Sequence, residues 1–132
     1  MNRNVKVGAK AGSGGAIDWE IDGKKAKDSK IDFKKDDLDV VVKFKLDDDT
    51  DRGLRFDTQS PIWVHENEHG QCPPNGASDE QIEVLSCDDD TLNLINTNAK
   101  ESTLRYQLNF VDRGNNAQPC DPEFKNGGKT FL

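Results

Sequence analysis

In Leu38-Asp39-Val40-Val41-Val42-Lys43-Phe44-Lys45-Leu46, the residues Leu38, Val40, Val42, Phe44 and Leu46 share one parity, while Lys43 and Lys45 fall on the other. Successive side chains of an extended chain point to opposite sides, so a period of two marks a strand with one buried face. Thr103-Leu104-Arg105-Tyr106-Gln107-Leu108-Asn109-Phe110 repeats the pattern, placing Leu104, Tyr106, Leu108 and Phe110 inward and Arg105, Gln107 and Asn109 outward. These two segments are expected at the centre of the fold.

Weaker strand signals run over 4–9, 16–21, 30–33, 54–56, 62–65, 82–87 and 92–96. Turn formers separate them: Gly12-Ser13-Gly14-Gly15, Asp22-Gly23, Asp47 to Gly53, Ser60-Pro61, Cys72 to Asn75 and Asp88-Asp89-Asp90. This spacing predicts an all-β, antiparallel β-sandwich or barrel of seven to nine short strands, with the sandwich preferred. No segment keeps apolar residues at i, i+3, i+4 and i+7 over three turns, so no long helix is expected. Ser78 to Gln81 has capping-box spacing, but the β-forming Ile82-Glu83-Val84-Leu85 follows and limits any helix there to one turn. Gly12 to Gly15, Asn67 to Ser78 and the tail from Asn126 are expected to be the least regular regions.

The chain has 132 residues, enough for one core and one domain. Hydrophobic and charged residues each make up 33%, so the core should be thin. Lys and Arg number 18 against 25 Asp and Glu, a net charge of -7 that repels phosphate backbones and anionic lipids. Nucleic acid and membranes are therefore poor partners. Met1-Asn2-Arg3-Asn4-Val5-Lys6 carries no signal-peptide core and no stretch has the length of a membrane span, which leads to the expectation of a cytoplasmic protein. Cys72, Cys87 and Cys120 are odd in number and lack C-x-x-C spacing, so reduced thiols are expected.

His65-Glu66-Asn67-Glu68-His69 matches H-E-x-x-H, in which two histidines one helical turn apart bind zinc and the glutamate activates water. That chemistry needs a helix: four helical residues advance about 6 Å, whereas four strand residues advance about 13 Å. Here the motif follows the β-type Pro61-Ile62-Trp63-Val64 and is cut off by Gly70 and Pro73-Pro74. The expectation is a strand end running into a polar loop. If the chain turns after His65, then His65, His69 and Cys72 offer two nitrogens and a sulfur to a zinc ion, with Glu66, Glu68 or Cys87 as a fourth ligand.

Asp47-Asp48-Asp49-Thr50-Asp51 fails the EF-hand test, because the sixth position is Arg52 and the twelfth Thr58. It reads as a solvated loop, as does Asp88-Asp89-Asp90. Phosphate-cradling and nucleophile-elbow motifs are missing, and both histidines fall in one segment. Trp19, Trp63 and Tyr106 read as packing aromatics. Trp63 shares the parity of His65, opposite Ile62 and Val64, which makes it the candidate for an interaction surface.

Gln118-Pro119-Cys120-Asp121-Pro122-Glu123-Phe124-Lys125-Asn126-Gly127, directly after a strand closing in Phe110-Val111-Asp112-Arg113, resembles the DP-EP family of small bacterial proteins. The similarity rests on Asp121-Pro122 and Asn126 together with length and strand order. It implies a bacterial protein with an immunoglobulin-like β-sandwich, and it carries no functional residues with it. Turn chemistry accounts for Asp121-Pro122 equally. Two main functional readings follow, beside a third in which a concave sheet carrying Trp63 binds a sugar or small ligand. One is a non-catalytic module that binds a protein partner or forms a homo-oligomer through a surface. The other is a zinc-binding protein or metal-dependent hydrolase using His65, Glu66 and His69.

Overall fold

A computed structural model of the chain describes residues 2–66, 73, 76–120 and 123–128. Among these residues the chain forms twelve strands in two sheets. The first sheet runs, in spatial order, β3 (Lys24–Lys25), β2 (Ile17–Ile21), β1 (Asn2–Ala11), β5 (Val40–Asp49), β9 (Thr91–Asn96) and β8 (Ile82–Cys87). The second is built on the long strand β10 (Glu101–Val111). It is flanked on one side by β6 (Arg55–Phe56) and β7 (Ile62–Glu66), and on the other by β11 (Ala117–Cys120) and β12 (Glu123–Gly127), with β4 (Lys30–Phe33) outside β12.

Two of these strands are interrupted rather than separate. Leu108 faces Cys120 and Arg105 faces Glu123, so β11 and β12 keep one register along β10. The hairpin turn before them is held by Asp112, whose carboxylate accepts from the N–H groups of Gly114 and Asn116 at 2.9 and 3.0 Å. On the other side of β10, five residues bulge out between β6 and β7. Asn109 ties them down: its side-chain amide donates to the Ser60 carbonyl at 2.8 Å, and its backbone N–H to that of Pro61 at 2.9 Å.

The order β1-β5-β9-β8 in one sheet and β7-β10-β12 in the other is the four-plus-three arrangement of immunoglobulin-like sandwiches. It departs from the expected all-antiparallel pairing in two places, where β1 pairs parallel to β5 and β4 parallel to β12. Alternation fixes which face a residue takes and says nothing about strand direction. The expected seven to nine strands are all present; β3, β11 and β12 are additional. Lys24–Lys25 is too short to alternate, and Pro119 disguised β11. Asn126, expected to open an irregular tail, is a buried residue of β12.

Alternation places the core as the sequence demanded. Val5, Val7, Ala9, Val40, Val42, Phe44, Leu46, Leu92 and Leu94 line the inner face of the first sheet, and Leu104, Tyr106, Leu108 and Phe110 that of the second. Aromatic contacts join the sheets: Trp19 stacks on Phe110 with centroids 4.7 Å apart, and Phe44 meets Tyr106 at 5.8 Å. One expectation fails and another is refined. Leu38 lies outside β5 and is exposed, because Asp39 takes a positive φ of 52° that breaks the strand before Val40. Asn109 takes the outward side of β10, beside Gln107, whose side-chain amide donates to its Oδ1 at 2.7 Å, but the loop it anchors buries it there.

Candidate functional site

His65 and Glu66 stand next to each other in β7, so their side chains leave opposite faces of the strand. His65 is exposed and lies opposite Arg105, while Glu66 pairs with the Lys100 ammonium at 2.9 Å. The helical geometry of a zinc protease motif is therefore absent at its first two positions. His69 and Cys72, the other expected ligands, lie outside the described residues. Among the described residues no three His, Cys, Asp or Glu side chains converge as a metal site would require.

Trp63 occupies the His65 face, as its parity required, opposite Gln107. It is half-buried, and its indole N–H donates to the Ser60 hydroxyl at 2.8 Å, so the ring is pinned to its own loop. Asp48 is not a simple solvated charge. It sits in β5 and accepts from the Thr50 N–H and hydroxyl and from the Leu54 N–H. Partial burial alone would raise its pKa, but these hydrogen bonds and the Arg113 charge outweigh it and hold the carboxyl below its ordinary value.

A hollow of about 560 Å³ on the outer face of the first sheet is lined by Lys6, Lys43, Lys45, Asp22 and Asp47 among others. Lys6 pairs with Asp47 at 3.2 Å and Lys45 approaches Asp90 at 3.9 Å, so charges of both signs offset one another there.

At one end of the sandwich is a buried amide cluster that sequence reasoning missed. Asn96 and Asn126 exchange side-chain hydrogen bonds of 2.7 and 2.9 Å between the two sheets, and Asn126 also donates to Gln81 Oε1 at 3.2 Å. Asn98, with a φ of 52°, donates from its side chain to the carbonyls of Lys34 and Asp37 and accepts from the Gly128 N–H at 2.9 Å. All four side chains are at most 2% exposed, and each makes multiple hydrogen bonds, as burial of amides requires. The signal was present in the sequence: Leu92, Leu94 and Asn96 share a parity, so the alternation itself carried an asparagine inward.

One residue beyond Gln81 the character of the chain changes. Among the described residues, strand β8 is an edge of the first sheet, paired with β9 on one side only. Its Val84 and Leu85 are 42% and 48% exposed, the two most exposed large hydrophobic residues among those described. The pairing slips between Val84 and Ser86, leaving Leu85 as a bulge whose side chain enters no cross-strand pair.

The ladder also shows which backbone groups are open. The Thr97 N–H bonds the Gln81 carbonyl at 2.8 Å, so bonded pairs fall at 81 and 83, and the N–H and C=O of Val84 turn away from β9. At the other end the Asp88 N–H bonds Thr91, which by the same alternation turns those of Cys87 outward. The backbone groups of Ile82 also turn away from β9, but its N–H is already taken by the Asp79 carbonyl at 3.1 Å, and its side chain packs against the core.

Acidic groups bracket this edge. Asp79 and Glu80 precede it, Glu83 lies on it, and Asp88, Asp89 and Asp90 follow it. Cys87 registers the field. Burial, then the charges of Asp88, Asp57 and Asp89, push its thiol up to about 11, so it remains a protonated, unreactive group at neutral pH.

Among known proteins, the chain matches no family model and no curated sequence. No helix among the described residues is long and apolar enough to cross a membrane.

Proposed function

We propose that this protein is a non-catalytic binding module that works through the β8 edge. The observation that carries this reading is the coincidence of two exposed hydrophobic side chains, Val84 and Leu85, with outward-turned backbone groups on a strand that, among the described residues, is paired on one side only. Unpaired strand edges accept a further strand or a partner surface, with main-chain bonds giving affinity and side-chain burial giving selectivity. Proteins commonly defend such edges with bulges and charges. The Leu85 bulge and Glu83 do this in part, while leaving apolar surface in water.

The Ile82–Cys87 strand is firmly placed from behind. Gln81 is buried and donates to the Ser102 hydroxyl at 2.9 Å, and Cys87 packs against the core. The edge is thus a rigid platform, which lowers the ordering cost of binding. A photo-reactive benzoylphenylalanine at position 85, with a control at the exposed position 43, tests the reading in host cells. Adducts of discrete mass from position 85 and none from position 43 are expected. No adduct from position 85, or the same adducts from both positions, removes the reading.

A further inference from the structure

Taking the β8 edge as the binding surface, we infer that its occupant is an extended segment of a partner protein whose apolar side chains are flanked at both ends by lysine or arginine. A second copy of this chain is the alternative occupant, and the charge layout disfavours it.

The six residues of β8 span roughly 17–20 Å. At the leading end lie Asp79, Glu80, Glu83 and, from β7, Glu66; Lys100 is paired among them, 2.9 Å from Glu66 and 4.0 Å from Glu80. At the trailing end lie Asp88, Asp89 and Asp90, with Lys45 3.9 Å from Asp90, and Asp57 is close enough to act on the Cys87 thiol. Both ends therefore keep an excess of carboxylates around an apolar centre.

Self-pairing meets this layout badly. In an antiparallel two-fold pair, the Asp79-Glu80 end of one β8 lies beside the Asp88–Asp90 end of the other, twice over. A parallel pair sets like ends together. Either arrangement brings carboxylates face to face, whereas a segment with basic ends converts both clusters into attraction. The Leu85 bulge shortens the backbone ladder such a segment can make, so binding must draw on burial of Val84 and Leu85 and on charge. It should be correspondingly sensitive to salt.

The test uses the full chain and two fluorescein-labelled peptides read by fluorescence anisotropy. One is Lys-Lys-Val-Thr-Val-Thr-Val-Lys-Lys; the other has glutamate in place of every lysine. The lysine peptide is expected to bind and the glutamate peptide not. Raising NaCl from about 50 to about 500 mM should weaken binding about tenfold or more. The variant Glu80→Gln/Glu83→Gln/Asp89→Asn alters side chains that hold no backbone turn and should weaken it about tenfold while melting as the parent does. Equal binding of both peptides, binding of neither, or no salt dependence overturns the inference.

Two controls separate it from the reading it rests on. Lysine-peptide binding left unchanged by Leu85→Ser removes the edge itself as the site. Sedimentation as a dimer that Leu85→Ser dissociates keeps the edge but replaces the basic partner with a second copy, and so overturns this inference alone. A monomer at all concentrations is expected.

Discussion

Gln81 and Leu85 are four residues apart, yet the first is 2% exposed and belongs to a closed amide network, while the second is 48% exposed on an open edge. Both regions break the alternation rule, and they break it in opposite directions. At the amide cluster, polar side chains occupy inward positions and make multiple hydrogen bonds. At the β8 edge, apolar side chains occupy a strand and find too little to pack against. A buried amide is tolerated because partners replace the water it loses. An exposed hydrophobic pair gains nothing of the kind from the described residues, which is why it points to a further partner.

The largest effects are expected at the closed end. Asn98→Ala removes the hydrogen bonds to Lys34, Asp37 and Gly128 and leaves alanine at a positive φ, which should cost about 3–5 kcal/mol by denaturant unfolding. Gly128→Ala should be similarly severe, since Gly128 has a φ of 82° and a Cβ there would collide with the Glu101 backbone. Next come Asn96→Ala and Asn126→Ala, each expected to cost about 2–3 kcal/mol because each strands the other amide. The double variant should cost less than the sum, with a coupling of about 1–2 kcal/mol in a double-mutant cycle. Strict additivity would show that the two amides do not act as a pair.

Cys87 provides a milder comparison at the trailing end of β8. Its folded thiol pKa is raised to about 11, so above the ordinary thiol range the unfolded chain releases this proton first. The contribution to stability is intact below that range and is lost as pH climbs through about 11. In a Cys72→Ser/Cys120→Ser background, iodoacetamide should label Cys87 at pH 8 about a hundredfold more slowly than a free thiol. Asp89→Asn should speed that labelling, because Asp89 is one of the charges holding the proton on. The smallest effect belongs to the edge itself: Leu85→Ser should change stability by less than about 0.5 kcal/mol. A loss of about 2 kcal/mol or more would place Leu85 in the core economy and end the contrast.

The sequence made the sandwich legible where alternation was long and one face was purely apolar, as over Val40 to Leu46 and Leu104 to Phe110. It made less legible the places where tertiary hydrogen bonds override local pattern. Asn109 points outward as alternation predicts, yet the loop at Ser60 covers it, and Asn126 reads as tail although Asn96 lies opposite. Pairing direction was illegible, since both β1–β5 and β4–β12 are parallel and parity is blind to direction. The β8 edge was visible only as a strand. Its exposure follows from lying at the end of the sheet order, which alternation does not encode. The strand context of His65 and Glu66, by contrast, was read directly from the β-type residues before them.

Amide hydrogen exchange by NMR on the free protein tests the central claim that β8 is an open edge beside a closed end. The Val84 N–H, turned away from β9, should exchange at close to the rate of an unstructured amide, while those of Glu83, Leu94 and Asn98 are strongly protected. A Val84 amide as protected as Leu94 would mean that the edge is already covered within the chain, and would contradict the account.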